Sequence, residues 1–540
     1  MTDLLTAVQM RALEAAEIAS GRATGAMLME RAGRGVVDAI FAVWPEFAQA
    51  PHRAVVLCGP GNNGGDGFVI ARLLSEAQWE VRVHFLGDVE KLPPDARLNC
   101  DRWCASHPVL PLKRADIQAG PRPDLIVDAV FGIGLSRPLT AELAEALSPV
   151  TTSGWDAPED IRTVAVDCPS GLDLDSGRVM PDGAAPRIDL TVTFHQPKIG
   201  HYLSDGPSIC GTLRVVDIGV RDQSAQPARL DALPKADTVR LVGQAAPGRA
   251  FSPKVWPAPL IGKADTAAHK YDHGHAVVFA GGVGRGGAGR MAARAALRAG
   301  AGLATVICPP AALIENAAQL NAVMLASLAK DQPLGAVADN RVKAFCLGPG
   351  MGISPLTASR VVEALGHKGP AEGDQAPAVV LDADALTCFS DDPAALFAHT
   401  HPRSVLTPHT GEFARLFPDL AAALRTDTSK IDAVRAAAAR AGCIVLLKGP
   451  DTVIAEPGGA AAVHGAVYDR AAPWLATAGA GDVLAGLITG LAAAHSDVPL
   501  FVLVEIATWR HVEAAREVGP GLIAEDLPEA LPAVFKRLGL

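Results

Sequence analysis

The chain has no excess of positive charge, no metal-binding cysteine spacing and no apolar run of membrane-spanning length. Each lack removes a class of function. Across 540 residues, 48 lysines and arginines face 58 aspartates and glutamates, a net charge of −10. A sequence-independent nucleic-acid binder needs a basic face, and this balance argues against one. Nine cysteines are scattered, and only Cys100 and Cys104 lie close together, without a CxxC spacing or a histidine partner. Zinc is therefore not expected, and a reducing compartment is. No uninterrupted apolar stretch is long enough to span a bilayer. The first residues, MTDLLTAVQMRALEAAE, carry charges through their apolar part and do not read as a signal peptide. The expectation is a cytoplasmic protein with neither nucleic acid nor membrane as partner.

What remains is a globular composition without a long disordered tail, 49% apolar and 20% charged. Its 540 residues have room for about two to four domains. From 221 to 268 the segments RDQSAQPARLDALPKADTV and APGRAFSPKVWPAPLIGK mix proline, alanine and charge without a long period. That stretch reads as a linker with room for one short helix. On both sides, short apolar runs alternate with helical patterns. Upstream these are AVVLCG from Ala54, VRVHFLG from Val81, DLIVDAVFG from Asp124, TVAVDC from Thr163 and LTVTFH from Leu190. Downstream they are AVVFAGG from Ala276, ATVICP from Ala304, AFCLGPG from Ala344, AVVLDADAL from Ala378, SVLTPH from Ser404 and IVLLKG from Ile444. Unbroken Val/Ile/Leu runs belong to sheets covered on both faces, with helices as crossovers. Two α/β domains are predicted, 1–220 and 269–540, each a mostly parallel sheet that binds ligands beyond the carboxyl ends of its strands.

The segment TAGAGDVLAGLITG, Thr477 to Gly490, reads as a glycine-rich turn running into an apolar helix. Unpaired N–H groups and the positive end of the dipole attract phosphate there, and Gly479 and Gly481 flanking Ala480 allow close approach. Asp482 sits where bound phosphate would repel it. Two readings stand: a general base taking a proton from an alcohol that attacks the phosphate, or a helix N-cap.

Three strand ends of the first half carry polar residues. GPGNNGGDG, Gly59 to Gly67, offers amides and a carboxylate from Asn62, Asn63 and Asp66, with a flexible turn as the plain alternative. LIVDAVFGIGLSRPL ends a strand at Asp128, and VAVDCPSGLD places Asp167 at a strand end with Ser170 three residues on. Each aspartate alone is as well explained by a cap or an Asx turn. Three such loops at one sheet edge favour a shared pocket, in which Asn63, Asp128 and Ser170 offer oxygen ligands to a hard cation.

GPGNNGGDG, the Asp128 loop, VAVDCPSG and FHQPKIGHYLSDG occur in order and resemble the NAD(P)HX epimerase domain, also called the YjeF N-terminal domain, from about Met10 to Val220. The resemblance implies a Rossmann-like three-layer sandwich. It implies that Asn62, Asn63, Gly64, Gly65 and Asp66, then Gly132, Ile133, Gly134, Leu135, Ser136, Arg137 and Pro138, and Asp167 contact the hydrated nucleotide. Asn63, Asp128 and Ser170 would hold K+, and Asp167 would be the acid/base group. Lys198 is a weaker candidate, since a loop lysine is usually a solvated charge.

The second half contains HKYDHGHAVVFAGG, GRGGAGRMAARAALRAGAGLATV, GPGMG, LDADAL, LTPHTGEFARL, LLKGPDTVIAEP and TAGAGDVLAG in order. That series looks like the ADP-dependent NAD(P)HX dehydratase of the ribokinase-like fold, a second three-layer sandwich. The joined pair is similar to the bifunctional NAD(P)H-hydrate repair enzymes. One departure is the turn before Ala288, Gly-Arg-Gly-Gly, where some relatives have an aromatic or serine. By resemblance, Lys448, Gly449, Pro450, Asp451 and Thr452 with Gly479, Ala480 and Gly481 hold the nucleotide. Ala288, Gly352, His409, Thr410, Gly411, Glu412, Phe413, Ala414, Arg415 and Asp482 contact the hydrate. His409 also reads simply as a helix cap, and Asp382 and Asp384 as structural or water-mediated. Mg2+ is plausible on the phosphates, without an acidic cluster that demands it.

The implied chemistry is repair. NADHX and NADPHX carry water across a ring double bond, and Asp482 would deprotonate the added hydroxyl for attack on ADP. The first domain would interconvert the R and S epimers. The expected partners are these two substrates and further copies of the chain. Two rivals remain: a small-alcohol kinase of the ribokinase-like superfamily in the second half, and a non-catalytic binding module in the first.

Overall fold

The computed structural model describes residues 2–135, 137–147, 161–180, 184–221, 236–243, 269–368, 375–426 and 428–539. The chain divides into two compact units, one formed chiefly within residues 2–226 and the other within 227–540. Among the described residues no helix is long and apolar enough to cross a membrane.

A short strand, β1 (Thr2–Leu4), precedes the first helix, Ala7–Ala19. Then follow β2 (Arg53–Cys58), β3 (Glu80–Phe85), β4 (Val109–Pro111), β5 (Leu125–Ala129), β6 (Arg162–Val166), β7 (Leu190–Phe194) and β8 (Thr212–Val216). The seven strands β2 to β8 form one parallel sheet in the order β4-β3-β2-β5-β6-β7-β8. Alternate residues of β2 serve two cores. Ala54, Val56 and Cys58 pack with the helices Gly25–Val43 and Asn62–Glu76, while Val55 and Leu57 pack with Ile117 and Leu143. Burial on both faces explains why these strands read as unbroken apolar runs, and it makes the unit a three-layer sandwich. Strand order reverses between β2 and β5, so a crevice opens beyond their carboxyl ends.

The second unit contains β9 (Val239–Leu241), β10 (His275–Phe279), β11 (Leu303–Cys308), β12 (Met324–Ser327), β13 (Val342–Leu347), β14 (Ala378–Leu381), β15 (Ser404–Leu406), β16 (Ile444–Leu447), β17 (Asp451–Ala455) and β18 (Ala461–Gly465). They run in the order β9-β18-β17-β16-β15-β14-β13-β10-β11-β12. All neighbours are parallel except β16–β17 and β17–β18. The switch point lies between β10 and β13. The helices Gly287–Ala299, Ala480–Ala494 and Leu500–Val518 cover one face.

One expectation is corrected here. Within the stretch read as a linker, Val239–Leu241 is a strand that pairs parallel with β18. Its Arg240 forms a buried ion pair with Glu505 at 2.8 Å. Three residues are too few to show a period in the sequence.

Candidate active sites

In the N-terminal unit, the loops after β2, β5 and β6 meet at the switch-point edge. The helix Asn62–Glu76 starts inside the glycine-rich loop because Gly64 lies on backbone: a Cβ there would fall 1.9 Å from the Gly59 carbonyl oxygen. Asn63 is thereby brought to the β5 loop. A Cβ built on Gly132 would lie 3.1 Å from Asn63 Oδ1 and 3.2 Å from Asp167 Oδ2. The three loops therefore share one polar pocket.

Asp167 follows β6 in the left-handed region, φ +67°, and its N–H donates to the Val192 carbonyl at 2.8 Å. Oδ1 accepts from Lys198 Nζ at 2.8 Å and Thr193 Oγ1 at 2.7 Å, and Oδ2 accepts from the Ile133 N–H at 3.3 Å. Burial pushes this carboxyl up, but the charge and hydrogen bonds of Lys198 and Thr193 outweigh it and hold the group below the usual carboxylate range. Lys198 is fully buried, not solvated as expected; Nζ also donates to the Phe194 carbonyl at 3.1 Å. Its segment is pinned where the Leu5 N–H donates to Pro197 and Ile199 donates back to Leu5, each at 3.1 Å. His201 Nδ1 accepts the Lys198 N–H at 3.0 Å, so Nε2–H faces the Asp167 carbonyl at 2.9 Å. Burial takes the ring down to about 4, and it is neutral. Burial and then the Asp167 charge raise Glu14, and they raise Asp66 well above the carboxylate range. One pocket thus holds an ionised carboxylate beside carboxyls biased toward their protonated form, the division an acid/base pair needs.

Asp128, fully buried, ties two of these loops together. Its Oδ1 accepts from Ser170 Oγ at 2.7 Å and the Val130 N–H at 3.2 Å, while Oδ2 accepts from the Ser170 N–H at 2.8 Å. Burial raises this carboxyl despite those bonds, with no cationic side chain among the causes. Asn63 Nδ2 is buried without a partner. A buried carboxylate lacking a counter-charge, the Ser170 hydroxyl oxygen and Asn63 Oδ1 are oxygen ligands of the kind a monovalent cation takes, whereas the unsatisfied Asn63 Nδ2 is a donor and ligates none. Among the described residues no group of three His, Cys, Asp or Glu is placed to hold a metal ion.

In the C-terminal unit, the carboxyl ends of β13, β14, β15 and β16 face the helix Ala480–Ala494. Its N-cap, Gly479, has φ +91°, and a Cβ there would meet Met291 Cε at 2.7 Å and Ala524 Cβ at 2.9 Å. Only glycine makes this turn. His511 Nε2 lies 2.9 Å from the Ala480 carbonyl, and burial takes its ring down to about 4, so a neutral imidazole N–H braces the loop. A Cβ on Gly481 would lie 3.3 Å from Lys448 Nζ and 3.7 Å from Asp382 Oδ2. Lys448 itself donates to Asp382 Oδ1 at 2.6 Å. Asp482, in the helix's first turn, is half-buried. Burial first, then the charges of Asp382, Asp384 and Glu412, opposed by Lys448, push its carboxyl up to about 7. That is the value a general base at neutral pH wants.

Residues 276–531 match the family described as NAD(P)H-hydrate dehydratase, and residues 25–200 the one described as YjeF-related protein N-terminus. The bifunctional NAD(P)H-hydrate repair enzyme Nnr of Moorella thermoacetica is 34% identical over 561 residues, covering 99% of this chain and 97% of that protein. The chain belongs to the bifunctional NAD(P)H-hydrate repair enzyme family. An NAD(P)H-hydrate epimerase of Roseobacter litoralis is 46% identical over 234 residues, which span 41% of this chain and all 100% of that protein. Among solved structures, the ADP/ATP-dependent NAD(P)H-hydrate dehydratase from Bacillus subtilis co-crystallized with ATP/Mg2+ is 26% identical with a TM-score of 0.43, covering 52% of this chain and 95% of that one.

Within this family chain, the residues expected at the sites fall into distinct groups. Asn63, Gly132, Ile133 and Asp167 converge directly, whereas Asn62, Gly134, Arg137 and Pro138 are exposed along the same loops. Ser136 lies outside the described residues. Asp482, Gly481 and Lys448 converge, and Gly352 joins them through its N–H to Asp384 Oδ2 at 2.8 Å. His409 is a cap: its Nδ1 accepts the Gly411 N–H at 2.9 Å while Glu412 Oε2 accepts the His409 N–H at 2.8 Å. Phe413 turns its ring into the core, 5.1 Å from that of Phe417. Asp451 is taken by Lys430 at 2.6 Å, and Thr452 Oγ1 donates to the Gly449 carbonyl at 2.7 Å. Thr193, Glu14, His201 and His511 were not expected. Only the HQPKIGH stretch carried a local hint of them.

Proposed function

We propose that this chain repairs hydrated NADH and NADPH in the cytoplasm, as a homo-oligomer, with an epimerase near residues 1–220 and an ADP-dependent dehydratase near 269–540. The observation that carries the second activity is Asp482, whose carboxyl stands at about 7 in the first turn of a glycine-capped helix. Asp482 removes the proton of the hydroxyl on the carbon beside the ring nitrogen. The resulting oxygen attacks the terminal phosphorus of ADP, and AMP leaves. The Gly479, Ala480 and Gly481 amides face the charge that develops, a contribution of about 3–4 kcal/mol for a well-placed donor. The ring nitrogen's lone pair then expels phosphate, and loss of a proton from the neighbouring carbon restores NAD(P)H. Lys448 to Thr452 cradle the nucleotide, and Ala288, Gly352 and the His409 to Arg415 segment face the hydrate. Phe413 serves there by positioning its helix.

Mg2+ would travel with the ADP phosphates. Asp382 is engaged with Lys448, so no dedicated protein site supports it and no step depends on it. K+ suits Asn63, Asp128 and Ser170, where it would offset the buried Asp128 charge and hold the loops after β2, β5 and β6. In the first unit, Asp167, kept ionised by Lys198, is the acid/base group that assists loss and return of hydroxide. Asn62 to Asp66 and Gly132 to Pro138 surround the hydrate. Relatives spanning the whole chain favour this reading over an alcohol kinase joined to a binding module.

The test is a mixture of R- and S-NADHX incubated with ADP and the intact chain. Complete recovery of the dihydronicotinamide absorbance is expected. Recovery of the S fraction alone would remove the epimerase, and no recovery would remove the dehydratase.

A further inference from the structure

We propose that Arg285 clamps a phosphate of the dinucleotide hydrate on the β10–β13 side of the C-terminal crevice, and so sets how tightly the dehydratase holds its substrate. The inference rests on the dehydratase reading above.

Arg285 lies in the loop that leaves β10 at the switch point. The loop leaving β13 faces it: a Cβ on Gly350 would fall 2.6 Å from the Arg285 carbonyl oxygen, and one on Gly352 3.4 Å from Arg285 Nη1. The guanidinium is exposed against the Gly352 loop. The neighbouring charges are already engaged. Arg290 Nη1 meets Glu315 at 3.3 Å and Asn316 Oδ1 at 3.1 Å, Glu315 also accepts the Gly284 N–H at 2.6 Å, and Asp384 accepts the Gly352 N–H at 2.8 Å. Among the described residues, the Arg285 side chain has neither an ion pair nor a hydrogen bond.

The charge balance of the crevice says what that fork is for. Asp382, Asp384 and Glu412 act on Asp482 at its centre, with Lys448 as the opposing cation among the largest influences. The hydrate brings a pyrophosphate with about two negative charges, and NADPHX adds a 2′-phosphate worth about 1.5–2 more. These anions are repelled from the central carboxylates and need a cation at the margin. A planar guanidinium meets two phosphate oxygens at once, which a lysine does not.

The test compares wild type, Arg285→Ala and Arg285→Lys on S-NADHX and S-NADPHX, with KM and kcat for each and KM for ADP as reference, at low and high salt. Arg285→Ala should raise the hydrate KM about tenfold, the scale of a charge-assisted hydrogen bond. The rise is equal for both hydrates if the pyrophosphate is held and larger for NADPHX if the 2′-phosphate is. Arg285→Lys should recover part of the loss, and salt should narrow the gap between wild type and Arg285→Ala. Hydrate KM values within about twofold of wild type, below the scale of any such bond, would overturn the clamp, as would a rise confined to ADP. A wild type that dehydrates neither hydrate would instead overturn the dehydratase reading.

Discussion

The pH profile of dehydration follows from the surroundings of Asp482. A base must be ionised to work, and burial with three acidic neighbours holds this carboxyl at about 7. With ADP saturating, kcat/KM for S-NADHX should rise about tenfold per pH unit on the acid side and level off above about 7. Replacing Asp382 by Asn removes one nearby negative charge. For unit charges about 7 Å apart at an effective dielectric of about 20–40, that is worth about 1–2 kcal/mol, or about one pKa unit. The break should move toward acid by that amount, less whatever is lost as Lys448 gives up its partner at 2.6 Å. Replacing Lys448 by Met removes an opposing cation and should move the break toward alkali. Asp482→Asn should lower turnover at least about 100-fold on the plateau above about pH 7, with the gap narrowing in acid as wild type loses its own base. Stability gives an independent sign. Because the folded pKa lies above the unfolded value, this group's contribution is fully present below about pH 4 and lost as pH rises through about 7. Asp482→Asn should therefore melt higher than wild type at alkaline pH, with the difference vanishing in acid. A rate profile flat from about pH 5.5 to 8, or one that Asp382→Asn leaves in place, would refute the assignment.

Three further outcomes concern the first unit. Asp167→Asn should leave dehydration of the S epimer intact and slow consumption of the R epimer to its spontaneous rate. Lys198→Met strands a buried carboxylate and Asp167→Asn a buried ammonium, so each should cost about 3–5 kcal/mol in urea unfolding; stability of both variants equal to wild type would show that the pair is not what holds the pocket. In potassium-containing buffer a crystal should carry density with several oxygen contacts among Asn63, Asp128 and Ser170. Water alone there, with epimerisation indifferent to potassium removal, would end that proposal.

The interior strands were legible because both their faces are buried, as the unbroken runs of β2, β5 and β14 announce. The strands that escaped notice differ physically. Among them, β4, β8 and β12 sit at sheet edges with partly exposed residues and β9 is three residues long, whereas β17 and β18 are buried antiparallel strands in which Asp451, Thr452, His464 and Gly465 break the apolar run. At the sites, local geometry could be read and electrostatics could not. The glycines around Asn63 and Asp482 declare a close approach within a few residues of chain. The value of about 7 at Asp482, by contrast, comes first from burial and then from the charge of Asp382, opposed by Lys448, and both partners arrive on other strands. Lys198 resembled a solvated lysine because its burial is a tertiary effect: its partner Asp167 and the Leu5 backbone that pins its flanking residues both lie far away in sequence. His409 had both a cap and a ligand reading, and the cap is what its ring nitrogen does.

The left-handed backbone at Asp167 also limits what evolution can leave behind there. Glycine, asparagine and aspartate occupy that conformation cheaply, whereas other side chains lose about 1–2 kcal/mol. A lineage that no longer needs the first reaction is therefore not free to drift at this position. It passes to Asn or Gly and keeps the turn while discarding the carboxylate. The residue at position 167 then records which selection still acts: aspartate where the chemistry is maintained, asparagine or glycine where only the architecture is.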